Sequence, residues 1–238
     1  MPVDTVDYQF KKANIYKDSR SGFLKKLKLP FWDKFFIDRI KEIFENGGLI
    51  VDIGGGIRID GSRGNKINEK NKKEFSKYLS NPNVKYKVTD YTDKYSPDFV
   101  EDIHNLSFQD GSIDSIFCIA ILEHVYDPKK ATGEMVRVLK DGGMGLIYVP
   151  FIYRYHSHKD DYKDYFRYSK DGIAYLFRDC DSIEICPVRG IFESLLRFLP
   201  LHNFAPFKYL MRMIDIFTPQ IRRVSETQTS GYFIFIKK

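Results

Sequence analysis

An acidic residue and a run of glycines stand where an apolar segment ends. The segment 49–53 includes Asp52 and leads directly into Gly54, Gly55 and Gly56. Its apolar residues predict a strand that is buried on both faces, as in the middle of a parallel sheet. Glycines after such a strand allow a tight turn and let a ligand approach backbone N–H groups. The pattern therefore predicts a nucleotide-type site at the carboxyl edge of an open α/β sheet.

Two further acidic residues follow the next predicted strands. Segment 84–90 alternates in polarity and ends on Asp90, and a weaker strand over 99–103 carries Asp102. The carboxyl ends of parallel strands meet at one edge of a sheet, so these carboxylates can share a site with the glycine turn.

The segment 151–169 is rich in tyrosine, histidine and acidic residues. His156 or His158, polarised by Asp161 or Asp164, could accept a proton near pH 7. The alternative is that these residues only fix the shape of the loop through hydrogen bonds. The His-x-His spacing also suggests a metal pair, but no cysteine lies nearby and we predict no metal.

Helical and strand patterns alternate along the chain. This order predicts a Rossmann-like, doubly wound, mostly parallel sheet of seven strands with an antiparallel edge strand. We expect an N-terminal arm over 1–28 and a single domain over 29–238. The predicted helices are 30–46, 72–79, 128–139, 170–178, 190–199 and 204–217, and the remaining predicted strands are 113–122, 144–151, 183–188 and 231–237.

Composition narrows the functional classes. The chain has 238 residues, 43% of them hydrophobic, with a net charge of +6. No apolar run approaches the roughly 20 residues of a membrane helix, and no signal-peptide pattern is seen. Cys118, Cys180 and Cys186 lack metal-ligand spacing, which favours free thiols and a cytoplasmic location. Many lysines fall in two segments, 11–34 and 66–87, but the aromatic residues are scattered and no RNA-binding motif occurs, so we predict no nucleic-acid partner.

Five motifs in order resemble those of a class I S-adenosylmethionine-dependent methyltransferase. They are Val51–Gly56, Thr89–Tyr91, Glu101–Ile103, Ile121–Val125 and Glu134–Gly143. The chain is most similar to the methyltransferase type 11 group with an LEHV motif. Its segment 151–169 is similar to that of methyltransferases found with surface-polysaccharide enzymes. The resemblance covers about residues 47–180 and implies methyl transfer from S-adenosylmethionine.

The resemblance also implies roles for individual residues. The turn Gly54–Gly56 would meet the aminoacid end of the cofactor, with Asp52 supporting the turn and the ammonium group. Asp90 and its neighbour Tyr91 would lie at the ribose, where the carboxylate can accept bidentate hydrogen bonds from two hydroxyls. The remaining predicted contacts are Asp102 and Ile103 at the adenine, and Ile119 and Ala120 at the methionine portion.

One position departs from the family pattern. Arg58 stands where a third glycine is usual, and a loop through Asn65 delays the following helix. We infer that Arg58 reaches the cofactor carboxylate as part of a non-standard lid. The alternative is a catalytically silent, methyltransferase-like module that binds a partner. A nicotinamide-binding protein fits less well, because Ile59 occupies the last glycine of its motif.

The expected acceptor is an oxygen or nitrogen of a small molecule, most suitably a sugar or glycan in glycan biosynthesis. Tyrosines in 151–169 offer flat faces for sugar rings, and an attacking hydroxyl must lose a proton, for which His156, His158 and Asp161 are the catalytic candidates. A lipid, quinone-type or protein acceptor is the alternative. Basic amphipathic helices within 190–217 could contact a membrane or form a homodimer.

Overall fold

A computed structural model describes residues 13–17, 19, 30–55, 69–159, 161–200 and 204–238. The helices are α1 (Phe31–Asn46), α2 (Glu69–Leu79), α3 (Pro128–Val138), α4 (Lys170–Leu176), α5 (Ile191–Leu196), α6 (Ala205–Phe217) and α7 (Pro219–Ser225). The strands are β1 (Asn14–Ile15), β2 (Gly48–Ile53), β3 (Val84–Asp90), β4 (Phe99–Val100), β5 (Ile113–Ile119), β6 (Leu139–Pro150), β7 (Ser182–Val188) and β8 (Gly231–Lys237).

The strands form one sheet in the order β1-β7-β8-β6-β5-β2-β3-β4. Strand β8 runs antiparallel to both of its neighbours, β6 and β7, and the other pairs are parallel. The chain leaves β2 toward β3 on one side and later places β5 on the other side. This reversal of strand order opens a crevice at the carboxyl ends of β2 and β5, where open α/β sheets bind ligands.

Side chains alternate between two buried layers along the central strands. On β2, Ile50 packs in the layer of α1 and α2, while Val51 and Ile53 pack in the opposite layer with α3 and α4. Aromatic rings dominate the first layer, where Phe44 stacks on Tyr78 with centroids 5.3 Å apart. Because both faces of the central strands are covered, the polar groups at their carboxyl ends are held on a rigid base.

The predicted α/β fold is confirmed, with an eighth strand. Two residues of the predicted N-terminal arm, Asn14 and Ile15, pair in parallel with β7 at the edge of the sheet. The antiparallel strand β8 lies between β6 and β7 rather than at the edge. Helix α7 was not predicted, since seven residues carry too little periodicity to be recognised.

Two predicted strands end earlier than expected. The third strand stops at Val100: the N–H of Glu101 still bonds the carbonyl of Asp90 on β3, and the chain then turns, with the N–H of Asn105 bonded to the carbonyl of Asp102. The strand predicted over 113–122 stops at Ile119, since Ala120 takes a left-handed conformation with φ 57°. Both early stops occur at the carboxyl edge, where the backbone turns toward the candidate site.

Three observations bear on the remaining expectations. Cys118, Cys180 and Cys186 are all buried and free. Among the described residues, no helix is both long and apolar enough to cross a membrane. The loop expected after the glycine turn falls mostly outside the described residues, and the next described helix, α2, begins at Glu69.

Candidate active site

The glycine turn after β2 requires glycine at its first position. Gly54 and Gly55 have φ of 72° and 61°, a conformation that L side chains rarely adopt. A Cβ on Gly54 would lie 2.2 Å from Cδ1 of Ile121, so the turn also packs closely against the end of β5. The N–H of Gly54 bonds the carbonyl of Thr89 at 2.8 Å, which ties the turn to β3. The predicted cradle is therefore a tight turn built at the junction of three strands.

Asp52 lies beneath this turn and is fully buried. Its Oδ2 accepts a hydrogen bond from the hydroxyl of Tyr86 on β3 at 2.7 Å. A buried carboxylate is costly unless it is hydrogen-bonded, so this contact stabilises the end of the strand. The burial favours support of the turn over direct contact with the cofactor.

Asp90 ends β3 at the same edge and is 8% exposed. Its Oδ1 accepts from the backbone N–H of Thr92 at 3.3 Å, which orients the carboxylate. The next residue, Tyr91, is 77% exposed. The carboxylate therefore lies at the strand end, and its contact with the ribose stays a prediction.

Asp102 belongs to a small network that the sequence did not predict. Its Oδ1 accepts from the backbone N–H of His104 at 2.9 Å and from the ring Nδ1 at 2.7 Å. The His104 ring is stacked on Tyr126 with centroids 4.0 Å apart. Burial acts to raise the pKa of Asp102, but the two hydrogen bonds from His104 outweigh it and the pKa is lowered. His104 had no motif to mark it, and its stacking partner Tyr126 comes from another loop.

The apolar cofactor positions flank the crevice. Ile103 is buried, while Ile119 and Ala120 are half-buried at the end of β5. The N–H of Ala120 bonds the carbonyl of Tyr148 on β6 at 3.1 Å, which fixes its left-handed conformation. Such conformations cost about 1–2 kcal/mol outside glycine and are found preferentially at functional sites.

The final cofactor positions, Gly56 and Arg58, lie outside the described residues. The predicted contact of Arg58 with the cofactor carboxylate therefore stays a prediction.

The segment 151–169 forms an anchored loop beside these strand ends. Asp164 is buried and receives two hydrogen bonds from Arg167, of 2.5 and 2.7 Å, and a third from the backbone N–H of His156 at 2.8 Å. Arg167 also donates to the carbonyls of Tyr153 and Arg154. The Arg167 hydrogen bonds lower the pKa of Asp164 to about 2. This ion pair holds the loop closed on itself.

His156 faces a buried carboxylate from the neighbouring loop. Its Nε2 lies 3.5 Å from Oε1 of Glu123, and its Nδ1 lies 3.1 Å from the carbonyl of Arg154. Glu123 is 1% exposed, and its carboxylate oxygens have no hydrogen-bond partner of normal geometry among the described residues. Its own carbonyl accepts from the backbone N–H of Tyr165 at 2.7 Å, which ties the two loops together.

This environment changes the proton affinity of the imidazole. The interaction with Glu123 raises the pKa of His156 above its usual value, against the opposing effect of partial burial. The nearby charge of Asp164 acts in the same direction as Glu123. The neighbouring carboxylates thus stabilise the protonated ring, so that an imidazolium formed by proton transfer to His156 would be paired with Glu123.

His124 completes this cluster. Its ring meets that of His156 edge to face at 5.0 Å, and its Nδ1 lies 2.6 Å from the carbonyl of Lys163. Glu123, His124 and His156 each offer an atom of the type that binds metals, and these atoms lie within 4.8 Å of one another. The set differs from the His-x-His pair considered from sequence, because His158 is not in it.

The other two catalytic candidates lie apart from the cluster. His158 is exposed, and its backbone N–H bonds the carbonyl of Tyr162 at 3.0 Å. Asp161 accepts a hydrogen bond from Tyr95 and lies 3.5 Å from the ammonium of Lys94. The carboxylates that polarise His156 are therefore Glu123 and Asp164, and Asp161 instead ties the loop to the segment after β3. Glu123 is not among the residues predicted for the site from sequence, although its place in the LEHV motif Leu122–Val125 could have marked it.

Comparison with known proteins bears on the fold and on the domain family. Residues 64–147 match the family model of a methyltransferase domain. The solved structure of an S-adenosylmethionine-dependent methyltransferase from Archaeoglobus fulgidus has a TM-score of 0.51 at 14% identity, covering 91% of this chain and 99% of that one. Together these findings support an S-adenosylmethionine-dependent methyltransferase. They also support S-adenosylmethionine as its cofactor.

A second solved structure is less similar. It is an S-adenosylmethionine-dependent methyltransferase from Aquifex aeolicus, with a TM-score of 0.45 at 12% identity, covering 90% of this chain and 92% of that one. No curated protein matches the chain significantly. At these identities the likeness to solved structures shows the fold and does not identify the methyl acceptor.

The residues present fit the cofactor. The turn at Gly54 leaves no room for a side chain, as a close backbone approach to a ligand requires. Asp90 supplies a hydrogen-bond acceptor at the next strand end, and the Asp102–His104 pair supplies a polar group beyond it. When bound, S-adenosylmethionine supplies a methyl group on a sulfonium, which makes the methyl carbon electrophilic.

Proposed function

We propose that this methyltransferase acts on a hydroxyl or amine of a small polar acceptor, and that the acceptor is a sugar or glycan. The observation that carries the proposal is the pairing of His156 with buried Glu123 beside the carboxyl ends of β5 and β6. Such a base is of use when the attacking atom must lose a proton, as a hydroxyl must.

The surface around this pair supports a sugar. Four aromatic side chains of the loop are exposed, namely Tyr155, Tyr162, Tyr165 and Phe166. Flat rings with polar edges stack on the apolar faces of sugars and still allow hydrogen bonds to hydroxyls. A wholly apolar acceptor would not use the charged groups that border these rings.

The reaction balances with groups that the chain provides. The acceptor oxygen forms a bond to the methyl carbon as the carbon–sulfur bond breaks, and the electron pair stays on sulfur in S-adenosylhomocysteine. The hydroxyl proton passes to Nε2 of His156, and Glu123 stabilises the resulting imidazolium. Most of the rate enhancement comes from alignment of acceptor, methyl carbon and sulfur.

The test compares two histidines of the same loop. Methyl transfer from labelled S-adenosylmethionine is measured on a panel of sugars, nucleotide sugars, glycans and amines, with quinone-type and protein acceptors as the alternative arm. We expect His156→Ala to lower turnover about 100-fold or more with unchanged cofactor affinity by calorimetry. His158→Ala is the matched control and should keep turnover within about twofold, since its ring is exposed and apart from Glu123.

Three results would contradict the proposal. Equal turnover in His156→Ala and wild type would remove the base from this residue. Methylation confined to quinone-type or protein acceptors would overturn the sugar assignment. Cofactor binding with no transfer to any acceptor would favour a silent binding module.

A further inference from the structure

The ends of α5 and α6 expose a concentration of apolar side chains. We call residues 195–199 and 204–210 the hairpin tip. Its exposed large apolar residues are Leu195, Phe198, Leu199, Phe204, Phe207, Tyr209 and Leu210, each between 40% and 53% exposed. Contiguous apolar surface of this kind marks a site of interaction with a protein or a membrane.

The C-terminal half of helix α6 buries its two charged residues. Arg212 and Asp215 are buried, and Arg212 makes a two-pronged ion pair with Glu193 of α5, with hydrogen bonds of 2.9 and 2.7 Å. The Asp215 carboxylate accepts from the backbone N–H groups of Phe192 and Glu193. These contacts fix the polar half of α6 against α5, so the apolar half has to point into solvent.

Within the described part of the chain, the first two turns of α6 are partly exposed on every side. Residues 204–210 are all exposed, although successive residues of a helix point in different directions. A docked protein usually covers one face of a helix, whereas the interface of a bilayer can surround a helix end on several sides. The exposure therefore favours insertion of the tip into a membrane interface.

Charge around the tip selects the type of membrane. No acidic residue occurs between Glu193 and Asp215 in the sequence. Lys208 is exposed within the tip, and Arg222 and Arg223 are exposed on the neighbouring helix α7. Basic residues beside an inserted apolar segment are attracted to anionic lipid headgroups.

We propose that the hairpin tip inserts into the headgroup region of an anionic membrane. The apolar side chains enter the boundary between headgroups and acyl chains, and the basic residues contact lipid phosphates. A symmetric dimer through this face is disfavoured, since it would place the same basic residues of two copies against each other.

The tip is connected to the candidate active site. Arg197 donates a hydrogen bond to the Tyr153 hydroxyl at 2.8 Å and lies over the Tyr153 ring. The Tyr153 ring in turn meets His156 edge to face at 5.2 Å. Membrane binding would therefore hold the site near lipid headgroups. As a consequence that rests on the proposed function, the sugar acceptor would be one linked to a lipid.

Vesicle binding tests the tip without any acceptor. The full chain is sedimented with vesicles of neutral phosphatidylcholine alone and with vesicles that also contain anionic phosphatidylglycerol. We expect binding to the anionic vesicles, weaker binding to the neutral ones, and a decrease with added salt. No sedimentation with either type of vesicle would overturn the proposal.

Paired variants locate the binding surface. Phe207→Ser with Leu210→Ser should weaken binding roughly tenfold or more, because two inserted side chains are lost. The matched control is Val100→Ser with Tyr175→Ser, which changes exposed apolar residues elsewhere and should bind like wild type. Retained binding by the tip variant would contradict the proposal. Cofactor affinity, measured for each variant, shows that the fold is intact.

A second pair isolates the charge. Lys208→Glu should weaken binding to anionic vesicles and leave neutral vesicles unaffected, while Lys129→Glu, at an exposed position on α3, should do neither. Size-exclusion chromatography tests whether a second copy of the chain, rather than a membrane, binds the tip. A wild-type dimer that the tip variant makes monomeric, without vesicle binding, would assign the tip to a second copy and overturn the proposal.

Activity separates this proposal from the proposed function. Vesicle binding through the tip without methyl transfer to any sugar would support the membrane contact and count against the sugar acceptor. Methylation of a soluble sugar by a chain that binds no vesicle would support the sugar acceptor and count against the membrane contact.

Discussion

Two regions of this protein are held in place by different kinds of contact: the carboxyl ends of β2, β3 and β5, here called the cofactor edge, and the loop 151–169, here called the acceptor loop after its proposed role. At the cofactor edge, Gly54, Asp90 and Ala120 are positioned by backbone hydrogen bonds between neighbouring strands. In the acceptor loop, side chains do this work, above all the pair of Asp164 with Arg167. The shape of the sheet edge therefore depends on a few residue types that allow these backbone bonds. The shape of the loop depends on particular side-chain pairs.

This difference has a functional consequence. The cofactor edge has a backbone of fixed shape on a base that is buried on both faces. The loop carries exposed rings around one buried base, so changes in the rings alter the acceptor while leaving the cofactor edge unchanged. Variation of the acceptor on a constant cofactor site is what this arrangement permits.

The largest expected effect is at the cofactor turn. Gly54→Ala forces a side chain into a left-handed position against Ile121 and should destabilise the fold by about 3 kcal/mol and abolish cofactor binding. Gly133→Ala is the control, since a Cβ there meets no atom within 4 Å in helix α3. It should stabilise by about 0.5–1 kcal/mol. Chemical denaturation measures the stability of both variants, and calorimetry measures their cofactor binding. A Gly54→Ala variant with wild-type stability and binding would show that the turn does not depend on glycine at this position.

The acceptor loop should be next in sensitivity. Asp164→Ala leaves Arg167 without its ion pair and should lower the free energy of unfolding by about 2–3 kcal/mol. It should also lower turnover with little change in cofactor affinity. Asp171→Ala removes an exposed ion pair with Lys170 and should have no measurable effect. Equal denaturation midpoints for the two variants would show that the loop is not held by side chains.

The same carboxylate predicts an acid dependence. Its pKa is about 2 in the folded protein, below the ordinary value of 3.8. A lowered folded pKa stabilises the protein above the unfolded pKa, and this contribution is lost as the pH falls from about 4 to about 2. The loss should be about 2 kcal/mol in wild type and absent in Asp164→Ala, as measured by denaturation at each pH.

A ribose contact would show a moderate effect confined to binding. Asp90→Ala should weaken S-adenosylmethionine binding about 10- to 100-fold, because charge-assisted hydrogen bonds are lost. Asp93→Ala, three residues further on and exposed, should bind like wild type. An unchanged dissociation constant for Asp90→Ala would move the ribose contact elsewhere on the edge.

The smallest expected effect is that of a chelator. If His156 uses its Nε2 lone pair as a base, no metal is bound there, and ethylenediaminetetraacetate should leave turnover unchanged. Loss of turnover that an added divalent cation restores would instead make Glu123, His124 and His156 a metal site. That outcome would replace the base in the proposed mechanism.

Local patterns in the chain were sufficient to predict the alternating elements and the polar groups of the cofactor edge. Segment 84–90 and segment 231–237 have the same bounds in the sequence analysis and in the structure. A strand followed by glycines or an acid carries its own signal, because the residues that form the site are adjacent in the chain. The cofactor contacts of Gly56 and Arg58, inferred from the same local pattern, remain predictions.

The tertiary structure decided which side chains from distant segments meet at the candidate site. Glu123 and His156 are 33 positions apart, and only the parallel pairing of β5 with β6 brings their loops together. The inward charges of α6 likewise follow from the ion pair with Glu193, which no helical pattern reveals. The sequence by itself determined the fold class and the cofactor edge, because both depend on neighbours along the chain. The base and the exposed tip depend on contacts between distant segments, which exist only once the sheet has formed.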